Sequence, residues 1–152
     1  MPTSLASLAR PELILPGLAA ADRAGVLRAL AAAAAAHGLV ADAETLHGKL
    51  AERELLGSTA IGGGVAIPHC KLAGLAREVV AVAVARQGVD FGAADGEPVR
   101  LFFLVVSPVG SPAEHLRVLA AISRWVRTGA HVERILAAPD GPAIERLLGE
   151  DL

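Results

Sequence analysis

The stretch from Leu101 to Val106 reads Leu-Phe-Phe-Leu-Val-Val, and an earlier stretch, from Val79 to Ala85, reads Val-Val-Ala-Val-Ala-Val-Ala. Both stretches are short, continuously apolar and contain β-branched residues, which is typical of strands that are covered on both faces. The turn-forming residues between them are Asp90, Gly92, Asp95, Gly96 and Pro98. The pattern therefore predicts two central strands, joined in a hairpin-like way, in a mixed sheet.

Helical patterns lie on both sides of these strands. Asp22 is a good N-cap for an alanine-rich helix with Gly38 beyond its end, and Asp42 is a good N-cap for the next helix. We expect helices at about 22–37, 42–56, 131–138 and 140–149, and a short extended segment at 12–15. Helices on a largely buried sheet indicate an α/β layered domain.

A further helix is expected to begin at Ser111. The sequence Ser111-Pro112-Ala113-Glu114 fits a capping box with proline at the first helical position. The residues that then recur at helical spacing are His115, Leu116, Leu119, Ile122, Ser123 and Val126. This spacing predicts an amphipathic helix with His115 in its first turn.

Length and composition limit the class of protein. A chain of 152 residues with 53% hydrophobic residues fits one domain, 1–152, with one core. The longest apolar run, 29–36, is too short to span a bilayer, and a net charge of −2 with 3% aromatics gives little attraction to nucleic acid. We therefore expect no membrane insertion and no nucleic-acid partner. Because a single cysteine cannot form an internal disulfide, we also expect a cytoplasmic protein.

The best lead to function lies at residues 61–70, which read Ile-Gly-Gly-Gly-Val-Ala-Ile-Pro-His-Cys. Three consecutive glycines allow a tight bend and leave amide N–H groups open to an anion ahead of His69. The hypothesis is phosphate chemistry on His69, with Gly63, Gly64 and Thr59 as phosphate-binding residues. The alternative is an ordinary loop histidine that happens to follow a proline.

Other candidate residues have two interpretations each. His115 could meet an anion at the start of its helix, but a histidine in this position is on its own more often a packed core residue. Arg53 and Glu54 fit a solvated helix face unless the fold brings them to the site. The histidines to which we assign no chemistry, only surface or capping positions, are His37, His47 and His131.

Three further kinds of site fit the sequence poorly. Cys70 is a weak candidate for a nucleophile with His69 as its base, because adjacent residues in an extended chain point to opposite sides. A metal site lacks a fourth ligand beside His69, Cys70 and His115, so we expect no metal. The triple glycine also lacks the endings and spacings of nucleotide-binding loops, and no cofactor is expected.

The segment from Glu54 to Cys70 resembles the active-site signature of the fructose/mannitol family of enzyme IIA proteins of the bacterial phosphotransferase system. The likeness extends over nearly the whole chain. Further matching segments are Arg53-Glu54, Gly88-Val89-Asp90-Phe91, Asp95-Gly96-Glu97-Pro98-Val99, Leu101-Phe102-Phe103-Leu104 and Glu114-His115-Leu116, with Leu119 and Ser123. The resemblance implies an α/β/α sandwich, in three layers, with a mixed central β-sheet.

The resemblance also implies roles for residues and partners. It makes His69 the acceptor of a phosphoryl group from the histidine-containing phosphocarrier protein, with His115 and Arg53 beside that group. A neutral imidazole would attack phosphorus, and a backbone carbonyl on its other nitrogen would hold the productive tautomer. Cys70 departs from the glycine or alanine that is commoner there, and an oxidised thiol could interfere with His69.

The protein partners imply a docking surface and leave two functions open. Exposed apolar residues within a charged rim are expected around His69, with Leu72, Leu75 and Val109 as candidates. The leading function is a phosphotransferase subunit of sugar uptake, which passes the phosphoryl group to a IIB domain. The alternative is a protein of the nitrogen-regulatory IIA branch, in which phosphorylation of His69 controls binding to regulatory targets.

Overall fold

The computed structural model describes residues 5–150, which form one mixed sheet between two layers of helices. In chain order the elements are α1 (Leu5–Leu8), β1 (Ala9–Leu15), α2 (Arg23–Ala36), α3 (Ala43–Leu55), β2 (Ala60–Gly62), β3 (Val65–Ala66), β4 (His69–Leu72), β5 (Val79–Val89), β6 (Val99–Pro108), α4 (Pro112–Val126), α5 (His131–Ala137) and α6 (Gly141–Leu148).

The two predicted apolar strands form the centre of the sheet. β5 and β6 pair antiparallel, with Val80 opposite Val105 and Ala83 opposite Phe102. β1 adds in parallel to the other edge of β5, and β3 and β4 add in parallel along β6. The sheet is therefore mixed, as predicted, with the order β1-β5-β6-β3-β2 and β4 on β6.

Alternation along β6 divides the apolar side chains between two cores. Phe102, Leu104 and Val106 belong to the cluster that contains the buried residues of α2 and α3. Leu101, Phe103 and Val105 belong to the opposite cluster, with the buried residues of α4, α5 and α6. Because successive strand residues point to opposite faces, one strand supplies both cores. The α/β/α sandwich in three layers is confirmed.

The ends of the first two long helices follow their predicted signals. The side chain of Asp22 accepts a hydrogen bond from Gly25 N at 2.8 Å, and the side chain of Asp42 accepts from the N–H groups of Glu44 and Thr45. Gly38, just past α2, adopts a φ of 71°, the left-handed conformation that suits glycine. Both helices are therefore capped as the sequence predicted.

Some predictions about the C-terminal half are wrong. Ser111 makes no side-chain capping bond, and Glu114 pairs instead with Arg117, so the capping box does not form. The buried face of α4 contains His115, Val118, Ile122 and Trp125, while Leu116 is exposed.

His131 is also not a surface residue. It is buried, lies stacked on Trp125, and its Nδ1 is 2.8 Å from the carbonyl oxygen of Trp125. Helical periodicity does not predict this contact between residues six apart, because the chain turns between α4 and α5.

Across the described residues, no helix combines the length and apolar character needed to cross a membrane.

Candidate functional site

The site begins where two short strands succeed one another along the same edge of β6. β3 pairs with Leu101 and Phe102, and β4 starts at His69, which lies opposite Val105. Pro68 lies between the two strands and has no N–H to continue a ladder, but its carbonyl accepts from Val105 N at 2.9 Å. This arrangement fixes the backbone immediately before His69.

Two contacts define the tautomer of His69. Its Nδ1 lies 2.7 Å from the carbonyl oxygen of Ile67, which can only accept, so Nδ1 carries the proton. Its Nε2 lies 3.3 Å from Nε of Arg53, which can only donate, so Nε2 presents a lone pair. Burial, above all, lowers the pKa of His69, and the charge of Arg53 acts in the same direction. The half-buried imidazole is therefore set up as a neutral nucleophile with Nε2 free of a proton.

Arg53 reaches His69 from the last turn of α3. Its Nη1 also donates to the carbonyl oxygen of Gly57 at 2.8 Å, in the turn that follows the helix. This second contact holds the guanidinium at the helix end while Nε faces the imidazole. Of the two interpretations of Arg53, the structure supports convergence on His69.

His115 reaches the same place from the opposite layer of helices. Its ring centroid lies 5.5 Å from that of His69, with 54° between the ring planes, and its side chain is buried. Its Nδ1 lies 2.7 Å from Oγ of Ser107, near the end of β6. Burial lowers the pKa of His115, and the charges of His69 and Lys71 lower it further. The fold thus brings His69, His115 and Arg53 together from three separate elements.

The glycine loop does not join this group. Val65, directly after the glycines, pairs with Leu101, whereas His69 pairs with Val105, four residues further along β6. At about 3.3 Å per strand residue, that separation is about 13 Å. The N–H of Gly63 donates to Oδ2 of Asp95 at 3.0 Å. Gly63 and Gly64 thus form a hairpin turn at the far end of β3, and their binding of phosphate stays a prediction.

Both hydrogen-bond donors of Thr59 contact Glu54. Its N–H donates to Oε2 of Glu54 at 3.2 Å and its hydroxyl donates to Oε1 of the same carboxylate. Both residues are buried. Phosphate binding by Thr59 stays a prediction. The expectation that Glu54 lies on a solvated face is wrong, because Glu54 is buried and its carboxylate accepts from both donors of Thr59.

Cys70 follows His69 in β4 but packs against a hydrophobic core. It is partly buried against the core beneath α2 and α3, and burial raises its thiol pKa to about 12. A thiol with this pKa is protonated at neutral pH and is a poor nucleophile. Within residues 5–150, no three His, Cys, Asp or Glu side chains are grouped in a way that could hold a metal ion.

The contacts of two residues near the site, Ser107 and Glu54, were not recognised from the sequence. Ser107 continues the alternation of Phe103 and Val105 on the face of β6 below α4, which was a usable signal for its contact with His115. The burial of Glu54 had a weaker signal, a polar partner five residues later across the turn at Gly57. Neither contact follows from helical or strand periodicity alone.

Exposed apolar side chains lie close to the site residues in the chain, but they are mostly not those predicted. Leu72 is buried and Leu75 is partly buried against the core, whereas Val109 is exposed as expected. The other large exposed apolar residues next to site residues in the chain are Leu55, Leu56 and Leu116. They follow Arg53 in α3 and His115 in α4.

Comparison with known proteins places the chain in a family. A family model described as "Phosphoenolpyruvate-dependent sugar phosphotransferase system, EIIA 2" matches residues 7–150. The chain belongs to the EIIA 2 family. The family carries out phosphoryl transfer in general, and the resemblance that the sequence suggested is confirmed.

Relatives within the EIIA 2 family have two kinds of name. The chain is 39% identical to a nitrogen regulatory protein of Bradyrhizobium diazoefficiens, over 95% of this chain and 94% of the relative. It is 30% identical to a fructose-specific EIIA component of a phosphotransferase system in Haloferax volcanii, over 97% of this chain and 96% of the relative. Sequence similarity thus extends to both branches.

Solved structures of EIIA proteins share the fold. The nitrogen regulatory protein IIA-Ntr of Neisseria meningitidis superposes with a TM-score of 0.87 at 25% identity, over 95% of this chain and 98% of that one. Enzyme IIA for mannitol of Escherichia coli, solved in complex with phosphorylated enzyme IIB, gives 0.75 at 21% identity, over 90% and 94% of the two chains. The second likeness concerns the fold alone.

Proposed function

We propose that this protein is a phosphocarrier that accepts a phosphoryl group on Nε2 of His69. The observation that carries the proposal is the pair of contacts on that imidazole, Nδ1 with Ile67 O at 2.7 Å and Nε2 with Arg53 Nε at 3.3 Å. The first keeps the proton on Nδ1, and the second leaves the Nε2 lone pair directed at a cationic group. The nucleophilic nitrogen of His69 and the anion-binding guanidinium of Arg53 are therefore in direct contact.

The chemical step is an in-line exchange between two imidazoles. The Nε2 lone pair of His69 gives up its hydrogen bond from Arg53 and forms a bond to phosphorus, while the bond between phosphorus and the donor's nitrogen breaks and leaves its electron pair on that nitrogen. Nδ1 keeps its proton throughout, because Ile67 O continues to accept it. The low pKa of His69 keeps the ring neutral at physiological pH, so no proton must leave before attack.

The surrounding side chains stabilise the transferred group. Arg53 supplies a fixed positive charge, and His115 supplies a second ring 5.5 Å from the first. Lys71 follows two residues after His69 and adds positive charge near His115. Preorganised donors and charges of this kind lower the barrier without a metal ion. The charge that spreads over the phosphoryl oxygens is thus met from several directions.

The donor in this proposal is the histidine-containing phosphocarrier protein, and the acceptor is a IIB domain. Two proteins must bring their reactive groups together, so exposed apolar side chains that follow Arg53 and His115 in the chain support the proposal. Leu55 and Leu56 are 86% and 84% exposed after Arg53, and Leu116 is 66% exposed after His115. The exchange takes place in the cytoplasm, within a single EIIA domain that makes up residues 1–152.

A second candidate function is favoured by a specific comparison. The 39% identity to a nitrogen regulatory protein over 95% of this chain exceeds the 30% identity to a fructose-specific EIIA component. In a regulatory protein the phosphoryl group on His69 would change the charge of the docking surface and thereby switch binding to a target. The nucleophile and its surroundings serve both functions equally.

The proposal is tested by phosphorylation in vitro. Incubation with phosphoenolpyruvate, enzyme I and the phosphocarrier protein should add one acid-labile phosphoryl group, and His69→Ala should remove it entirely. His37→Ala is the matched control, since His37 is an exposed histidine at the C-cap of α2 and should leave labelling unchanged. Labelling that persists in His69→Ala would refute the assignment.

The downstream role is tested with the labelled protein. Addition of a purified IIB domain should remove the phosphoryl group within seconds if the protein feeds a sugar transporter. If instead the label persists, and a target protein binds one phosphorylation state at least tenfold more tightly, the regulatory function is correct. The two results exclude each other for the partner tested.

A further inference from the structure

We propose that Ser107 is a positioning residue that fixes the tautomer of His115, so that His115 presents an Nε2–H donor to the phosphoryl group on His69. The inference rests on the proposed function for the role of that donor. Ser107 has a buried hydroxyl on β6, whereas the other site residues lie on α3, β4 and α4. The argument begins with the hydrogen-bonding capacity of this hydroxyl.

Ser107 is fully buried on β6. A buried hydroxyl has one proton to donate and two lone pairs, and a donor without an acceptor is costly in such a place. In the part of the chain that the structure describes, the one side-chain hydrogen bond of Ser107 is to Nδ1 of His115, at 2.7 Å. The hydroxyl proton therefore goes to Nδ1, which must be an unprotonated acceptor.

The proton of a neutral His115 must then be on Nε2. The two nitrogens lie on opposite sides of the ring, so Nε2 points away from Ser107 and is available to a group bound nearby. Burial above all, together with the positive charge of Lys71, favours the neutral ring, which keeps one donor and one acceptor. His115 is then a directional hydrogen-bond donor instead of a second cation.

The two histidines consequently hold opposite tautomers. A backbone carbonyl accepts from Nδ1–H of His69 and leaves its Nε2 bare, whereas a hydroxyl donates to Nδ1 of His115 and leaves its Nε2 protonated. With the ring centroids 5.5 Å apart, one ring binds phosphorus and the other donates to a phosphoryl oxygen. If both rings had a bare Nε2, their lone pairs would repel the negative phosphoryl oxygens.

The tautomers can be read directly by NMR. We would record long-range ¹H–¹⁵N correlations of the imidazoles in the unphosphorylated full chain at about pH 8.5, two units above the ordinary histidine pKa of about 6.5. The expected result is a protonated Nδ1 in His69 and a protonated Nε2 in His115. A protonated Nδ1 in His115 would overturn the inference, whether or not His69 accepts phosphate.

Variants of Ser107 separate positioning from packing. Ser107→Ala should give His115 a mixed or inverted tautomer and slow phosphoryl transfer between about two- and tenfold, less than His115→Ala, because the ring remains. Ser107→Thr keeps the hydroxyl and should restore the Nε2–H signal. Ser123→Ala, which removes a hydroxyl from the middle of α4, is the control and should change neither signal nor rate.

The outcomes are distinguishable from failure of the proposed function. Wild-type transfer in folded Ser107→Ala, or an unaltered His115 tautomer in that variant, would contradict the role of Ser107. Loss of the tautomer signal in Ser107→Ala together with its recovery in Ser107→Thr would support it. Neither reading depends on which protein donates or receives the phosphoryl group, and the NMR result does not require phosphorylation at all.

Discussion

The His69 site and the glycine hairpin at Gly62–Gly64 are close in the sequence but lie at different points along β6. The hairpin turns at three glycines with φ of 91°, 66° and 80°, and Gly63 donates to Asp95. The His69 site combines side chains from α3, β4, β6 and α4. The comparison shows that glycines close to a reactive residue in the sequence can form a turn of the chain. The side chains that contact the reactive residue come from elements that are distant in the sequence.

The largest expected effect falls on the His69 side of this comparison. Arg53→Ala should slow phosphoryl transfer about 100-fold, because it removes a preorganised cation from the reacting group. The transfer rate of Arg53→Lys should lie between those of Arg53→Ala and the wild type, since lysine keeps the charge without the fixed guanidinium geometry. The rate is measured by quenched-flow transfer from the labelled phosphocarrier protein.

Arg28→Ala provides the matched control for Arg53. Arg28 lies on the neighbouring helix α2, with Nη1 3.8 Å from Oε1 of Glu44, and has no contact with His69. Its removal should leave the transfer rate unchanged. Equal rates for Arg53→Ala and the wild type would mean that the guanidinium does not meet the phosphoryl oxygens.

A second prediction concerns Thr59, which lies at the start of the hairpin and bonds back to Glu54. Thr59→Val should lower the free energy of unfolding by about 1–3 kcal/mol, because the buried carboxylate loses a hydrogen-bond donor. Thr59→Ser retains the hydroxyl and should lose less. Urea denaturation measures both, and a phosphate-binding role for Thr59 would appear instead as slow transfer at unchanged stability.

A third prediction tests the hairpin itself. Gly63→Ala should cost about 1–2 kcal/mol of stability, since its φ of 66° is unfavourable for a residue with a Cβ, although the space is open. Gly48→Ala, in α3 and also unobstructed, should gain up to about 1 kcal/mol from helix propensity. The rate of phosphoryl transfer per folded molecule should be normal in both variants. A tenfold lower rate in Gly63→Ala would support a role of the glycines in phosphate binding.

The smallest effect is on pH dependence. The pKa of His69 and that of His115 are both lowered in the folded protein, so the unfolded chain takes up protons first as the pH falls below about 6.5. The free energy of unfolding should therefore decrease between about pH 6.5 and about pH 5. The replacement of both histidines by glutamine should reduce that decrease, as followed by urea denaturation across the range. A stability that rises on acidification would contradict the two pKa directions.

The sequence predicted the sheet centre and the helices because their signals are local. The apolar run in β6, the caps Asp22 and Asp42, and the proline before His69 each act within a few residues. Alternation along β6 places Ser107 on the face below α4, but its contact with His115 also depends on how α4 lies over the strand, and the contact of Glu54 with Thr59 depends on a turn. The sequence also suggested open amides at the triple glycine, but it could not show that the amide of Gly63 has a partner, Asp95, which lies 32 residues away.

The central claim is that Nε2 of His69 is the atom that carries the phosphoryl group. The direct measurement is an NMR spectrum of ¹⁵N-labelled protein after phosphorylation, in which ¹⁵N–³¹P coupling identifies the bonded nitrogen. The account predicts coupling to Nε2 of His69, with Nδ1 still protonated and donating to the carbonyl oxygen of Ile67. Coupling to Nδ1 of His69, or to either nitrogen of His115, would contradict it.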